Sequence, residues 1–227
     1  MSKSSKKEVF LDLTSFSSDG DALAKAQAPI AEYERLARSV LVDSNPSHDL
    51  TLLHILIAST MLRARSLHEG AVREIQKGNP QAVFALLRAL LETWIVPQYV
   101  LDHPESLEVF VLGERDGPGV MRRPTTHRLV DNAARAYEGL PRVYEQLSDV
   151  GAHFGSLAMW SHWQVVDAEQ HLTRYSTVPH WRDDEDLKKA CGQLIESATC
   201  TVTVCQKLFT KHPKGLGKVA ARIDAAG

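Results

Sequence analysis

The chain has 227 residues, 44% of them hydrophobic, which is enough for one compact core and excludes a disordered or fibrous polypeptide. Its 26 Lys and Arg stand against 28 Asp and Glu, a formal net charge of −2, which excludes the pervasive basic field of a dedicated nucleic-acid binder and makes any such site local. Cys191, Cys200 and Cys205 are an odd number without a CxxC pair, and residues 1–8 are Ser/Lys-rich without the apolar run of a signal peptide. The expectation is free thiols in a reducing cytoplasm.

Residues 1–18 read as a flexible N-terminal segment. Leu23, Ala26, Ile30, Tyr33, Ala37 and Val40 then recur at helical spacing, predicting a first helix capped by Asp19 or Asp21 with Pro29 inside it. Asn45, Pro46 and Ser47 break the pattern, and a long periodic run over residues 49–77 stops at Gly78 and Asn79 as at a glycine C-cap. Pro80 suits the first turn of a third helix, whose residues 82–99 are apolar on nearly every face. The two most apolar runs are interrupted by His54, Arg88, Glu92 and Pro97, so both read as core helices rather than membrane spans.

Residues 105–114 predict a short helix and 115–126 a Gly/Pro/Arg loop. Leu129, Ala133 and Ala136, then Leu140, Val143 and Leu147, give two helical pieces broken at Gly139 and restarted by Pro141. Over about 157–178, Trp160, Trp163, Val165 and Val166 face Leu172, Tyr175, Thr177 and Val178 across a polar turn, the pattern of a β-hairpin. Asp183, Asp184 and Glu185 place negative charge at the start of a last helix carrying Leu187, Cys191, Leu194, Ala198, Val202, Cys205 and Leu208 on one stripe. Residues 211–227 read as a basic, solvated tail. The expected fold is all-α: a single domain over 19–210, a bundle of five or six helices with a small β-hairpin before the C-terminal helix.

Polar residues inside apolar stripes are the candidates for chemistry. His54 and His68 project into the apolar arc of the second helix, with Arg65 one turn before His68. Arg88 and Glu92, four apart on the third helix, can pair, either as a buried network or as an anion-holding arginine beside a carboxylate. Tyr144 and Ser148 share a face just ahead of His153, which follows a helix end and suits acid/base work. There is no HExxH, CxxC pair, P-loop, GxSxG or dinucleotide glycine fingerprint, so no metal site and no cofactor are expected.

The stretch RARSLHEGAVREIQKGNPQAVFALLRALLETWIVPQYV, followed by YEQLSDVGAH, a hairpin and a final helix, resembles an uncharacterised bacterial family of all-helical proteins related to HEPN (higher eukaryotes and prokaryotes nucleotide-binding) domains. The resemblance covers roughly residues 63–209, and its marks are R-x-x-x-E at Arg88 and Glu92 and the serine and histidine at Ser148 and His153. It implies a protein of stress or defence type that binds or cleaves RNA or a nucleotide without metal. Arg88, Glu92 and His153 would be catalytic, and Arg65, His68, Ser148 and Tyr144 would bind. The R-x(4 to 6)-H spacing used by many such ribonucleases occurs at Arg63/His68, Arg122/His127 and Arg174/His180, but no arginine precedes His153 at that distance.

Two rival readings stand beside it. One is a non-catalytic module that meets a partner protein, or a second copy in a homodimer, through the Trp-rich hairpin with Trp160, Trp163 and Trp181. The other is a ligand-sensing helical module, which needs an apolar cavity. None of the three involves a membrane.

Overall fold

The computed structural model describes residues 16–43, 49–114, 121–151, 161–167, 172–176, 179–181, 184–217 and 219–222. The expected flexible segment falls largely outside these residues, as do His153 and Trp160. The fold is mostly helical. α1 (Asp19–Gln27) is capped by Ser18, whose hydroxyl accepts from the Asp21 N–H at 3.1 Å; the aspartates expected as caps lie in the first turn, where their charge suits the helix dipole. Pro29 is not inside a helix but between two. It lacks an N–H and its ring opposes a continuing turn, so α2 (Ile30–Arg38) starts afresh and runs into one π-helical turn, Ser39–Asp43.

Residues 49–51, expected within the second helix, form a strand instead, β1 (Asp49–Thr51), and α3 runs over Leu52–Gln76. Its end is a glycine stop: Gly78 sits at φ +71°, its N–H donates to Ile75 O, and the Asn79 N–H donates to Glu74 O. Asn79 then caps α4 (Pro80–Asp102), with Pro80 in its first turn. α4 is long and apolar enough to cross a membrane by length and composition, and 61% of its most apolar window is buried inside the fold. A 3₁₀ turn, Pro104–Ser106, leads into α5 (Leu107–Leu112). α6 (Thr126–Ala134) and α7 (Leu140–Gly151) follow. β2 (Trp163–Asp167) and β3 (Leu172–Tyr175) pair antiparallel, with Trp163 opposite Tyr175, and α8 (Asp184–Lys211) completes the helical part.

α3, α4 and α8 form the centre. Leu53, Ile57, Met61, Leu87, Leu90, Ile95, Leu194 and Leu208 are all below 2% exposed, each contributing about 1.5 to 3 kcal/mol by leaving water. The three cysteines are free and buried, and burial pushes the thiols of Cys191 and Cys200 up to about 11 and about 12.

The end of the chain departs from the expected solvated tail. β4 (Val219–Arg222) pairs antiparallel with β1, and the Leu53 N–H donates to Leu216 O at 3.1 Å, so the segment after α8 closes over the start of α3. The closure turns on Gly215, which has φ +80° and lies so close to the Thr51 side chain that a Cβ there would clash with it. Gly78 has a similar φ but open space around it. Gly78→Ala is therefore expected to cost about 1 kcal/mol from backbone strain alone, and Gly215→Ala about 2 to 4 kcal/mol because overpacking adds to the strain. Thermal unfolding of the two variants checks the order, and equal losses would contradict it.

Candidate functional site

Arg88 and Glu92 face the same side of α4 one turn apart, and α7 brings Tyr144 against them. Arg88 Nε donates to Glu92 Oε1 at 3.1 Å, Arg88 Nη2 donates to the Tyr144 hydroxyl at 3.0 Å, and that hydroxyl donates to Glu92 Oε1 at 3.0 Å. The Arg88 guanidinium carbon is 5.1 Å from the Tyr144 ring centre. The pair expected on α4 thus forms, but it is not sealed: the two side chains are 23% and 36% exposed. Burial opposes the Arg88 charge, yet Tyr144 and Glu92 outweigh it and raise its pKa. The Tyr144 hydroxyl is raised mainly by burial and further by Glu92, with Arg88 acting against them. Arg88 has five N–H donors; with two directed to Glu92 and Tyr144, it can offer the others to an anion at the water-accessible edge. Ser148, expected to bind, donates its hydroxyl to the Tyr144 carbonyl at 2.7 Å and so caps back onto its own helix.

His68 and Arg65, expected to bind, serve neighbours other than Arg88 and Glu92. His68 is fully buried; its Nε2–H donates to Ala26 O at 2.6 Å, and Nδ1 accepts from the Tyr33 hydroxyl at 3.1 Å. Burial lowers its pKa and holds it neutral, so this histidine ties α1 and α2 to α3 rather than moving protons. Arg65 reaches Glu69 at 2.9 Å and, on α2, Glu34 at 3.2 Å. These residues look toward α2, whereas Arg88 and Glu92 look toward α7. His153 lies outside the described residues.

The paired strands are pinned to α4 by polar and aromatic contacts. The Gln81 amide donates to Ser161 Oγ at 3.1 Å and to His162 Nε2 at 3.3 Å, while His162 Nδ1–H donates to Ser176 O at 2.9 Å. Trp181 packs edge-on to Phe84 with ring centres 5.9 Å apart. Of the Trp-rich surface foreseen for a partner, this tryptophan is thus engaged with the protein itself.

A second site was not foreseen. A cleft of about 450 Å³ opens between α4, α7 and α8, on the flank of the α4/α7 seam away from Arg88. Leu91 and Trp94 of α4 and Leu140, Val143 and Leu147 of α7 make its apolar walls, and Gln193, Glu196, Ser197 and Cys200 of α8 face them. Tyr137, just before α7, closes one end. Its ring stands at 69° to Trp94 with centres 4.9 Å apart, and its hydroxyl, pushed up to about 12 mainly by burial, meets the Cys200 thiol. The Gln193 Oε1 atom is buried without a hydrogen-bond partner, an arrangement that costs about 1 to 3 kcal/mol. No pattern signalled this site: Gln193 adjoins Leu194 on the edge of the last helix's stripe, where a polar residue reads as surface. No protein-family model matches the chain, and neither a curated protein nor a solved structure matches it.

The partly exposed triad sets an energy scale. Glu92→Ala and Tyr144→Phe are each expected to cost about 1 kcal/mol, not the 3 to 5 kcal/mol of a sealed ion pair, and the double variant should fall short of their sum. Urea unfolding of the three variants measures this. For His68 the sign follows from its lowered pKa: below the ordinary 6.5 the unfolded chain binds more protons than the folded one, so stability is full above that pH and declines as pH falls toward the folded value. His54, which accepts from the Thr51 N–H and is also lowered by burial, adds a decline of the same sign. Unfolding between pH 5 and 8 should show a shallower acid decline in His68→Gln than in the parent.

Proposed function

We propose that this chain is a helical module that binds a small molecule, a ligand sensor built as a bundle of five or six principal helices with a small β-hairpin before the C-terminal helix. The cleft between α4, α7 and α8 carries the reading. Its volume of about 450 Å³ falls in the range of ligand sites, roughly 300 to 1,000 Å³, and its lining has the usual makeup of apolar walls with a few polar groups set among them. Its walls are faces of core helices, so the site is largely pre-formed and a ligand need not order it. Three buried free thiols suit a reducing cytoplasm as its place of work.

The test is binding of N-phenyl-1-naphthylamine, an uncharged probe that fluoresces when it leaves water. Saturable binding is expected at one probe per chain. Val143→Trp, which fills the cleft from a partly exposed position, should weaken binding at least tenfold while the protein stays folded by circular dichroism. Unchanged binding in that variant would remove the cleft from consideration.

A second reading rests on the Arg88, Glu92 and Tyr144 triad, which is open to water. In a HEPN-like protein of stress or defence type, Arg88 would hold a phosphate of RNA or a nucleotide, and His153 would act as general acid or base without metal. RNA degradation in the presence of EDTA decides it: cleavage lost in both His153→Ala and Arg88→Ala supports this reading, and absence of cleavage in the parent ends it.

A further inference from the structure

The segment after α8 lies residue on residue over the start of α3: Gly215 against the Thr51 side chain, Leu216 O on the Leu53 N–H, and Gly217 against Leu52. His54 follows directly in α3. It is 3% exposed and packs on Phe209 in the last turn of α8, with ring centres 6.3 Å apart. Its Nδ1 accepts from the N–H of Thr51, the last residue of β1, at 3.3 Å, which is the return bond of a capping box. Nδ1 can accept only while the ring is neutral and carries its proton on Nε2, and that nitrogen is buried without a partner. A second proton therefore has to go on Nδ1. It turns the acceptor into a donor facing the Thr51 N–H, so α3 loses its cap at the point where β1 and the closing segment meet it, and a charge is buried.

Neighbouring groups do not offset that charge. α3 carries no charged residue from Leu52 to Leu62. Lys211 is turned to Leu101 O, Asp102 is held by Gln98 and Asn132, Glu108 of α5 is exposed, and Asp49 of β1 and Arg222 of β4 are register partners at the end of the strand pair away from Thr51. His212, just after α8, is the other histidine at this closure, and its Nε2 is also buried without a partner. Burial accordingly lowers the pKa of His54.

We infer that the β1/β4 closure is an acid-released latch triggered at His54: uptake of one proton on Nδ1 frees β4 and residues 212–217 from the start of α3 while the helical bundle stays folded. In the open form the ring is hydrated and its pKa returns toward the ordinary 6.5. Below that value the open form takes up a proton that the closed form refuses, so closure is complete above it and weakens as pH falls toward the closed-state value. Opening uncovers Leu52, which is fully buried in the closed form.

Amide hydrogen exchange of the full chain from pH 8 to pH 5, read by NMR and corrected for the intrinsic pH dependence of exchange, tests the latch. Protection at Leu53 and along β4 should fall at least about fivefold, and at every pH it should stay below that of Leu87, Leu90 and Ile95, because the bundle does not open with the segment. In His54→Gln the glutamine oxygen can take the Thr51 N–H in the same capping box and does not titrate, so the fall should be less than about twofold. His68→Gln should leave the fall as in the parent, since opening of the latch does not expose His68. A fall that persists in His54→Gln, or one that vanishes in His212→Gln, overturns the assignment to His54. Exchange of the Leu53 amide at the rate of the α4 amides overturns the latch as a local device. If His54→Gln does not fold, the ring resonances of His54 in the parent decide: they should titrate with the midpoint of the Leu53 protection, and a ring still neutral at pH 5 after the segment has opened overturns the proposal.

Discussion

α4 cannot be left in water. Leu87, Leu90, Leu91, Trp94, Ile95 and Val100 are all buried, and they point in enough directions that one neighbouring helix could not cover them. The chain meets this by surrounding α4: α3 packs along one side, α8 along another, and α7 and α6 close a third. Nearly every other feature is a consequence. Two polar residues of α4 take partners from different parts of the chain: Gln81 takes Ser161 and His162, and Arg88 takes Tyr144. Polar groups on a buried helix thereby choose which element packs where, a task that apolar contacts, being non-directional, perform poorly.

The α4/α7 seam divides accordingly. Tyr144 turns to one flank, with Arg88 and Glu92, and Val143 and Leu147 turn to the other, where the cleft lies. Successive positions on α7 therefore serve two unlike environments, one a charged ring open to water and the other an apolar wall. The tight ring on the first flank fixes the distance between the helices at that level, and a fixed spacing lets a cleft persist on the second flank without collapsing.

How much of this could be read from the residues follows the range of the interactions involved. The stop at Gly78, the start at Pro80 and the stripe from Leu187 to Leu208 are local patterns, and the helices follow them. The pairing of Arg88 with Glu92 was equally local. Tyr144 as their common partner was not, because the choice depends on how α7 lies on α4. His68 projects inward as its spacing implies, but its partners Ala26 and Tyr33 belong to helices whose packing no spacing rule describes. For that reason spacing alone does not separate Arg65 and His68 from Arg88, although they serve another side of the fold. The cleft was beyond reach altogether, since a void belongs to the arrangement of three helices and to none of their sequences.

The pairing of β1 with β4 joins residues roughly 170 positions apart, a span similar to that of the packing of α1 on α8. A contact of that span gains nothing until the intervening helices have drawn its ends together, so it belongs to the last steps by which the native state is reached. Strands of three and four residues around a glycine turn then act as a latch on an already assembled bundle. Interactions made after the rate-limiting step govern how quickly a protein comes apart and leave the rate of assembly unchanged. On that order of events the closing segment bears on the lifetime of the folded state, while the apolar demand of α4 bears on whether the state is found.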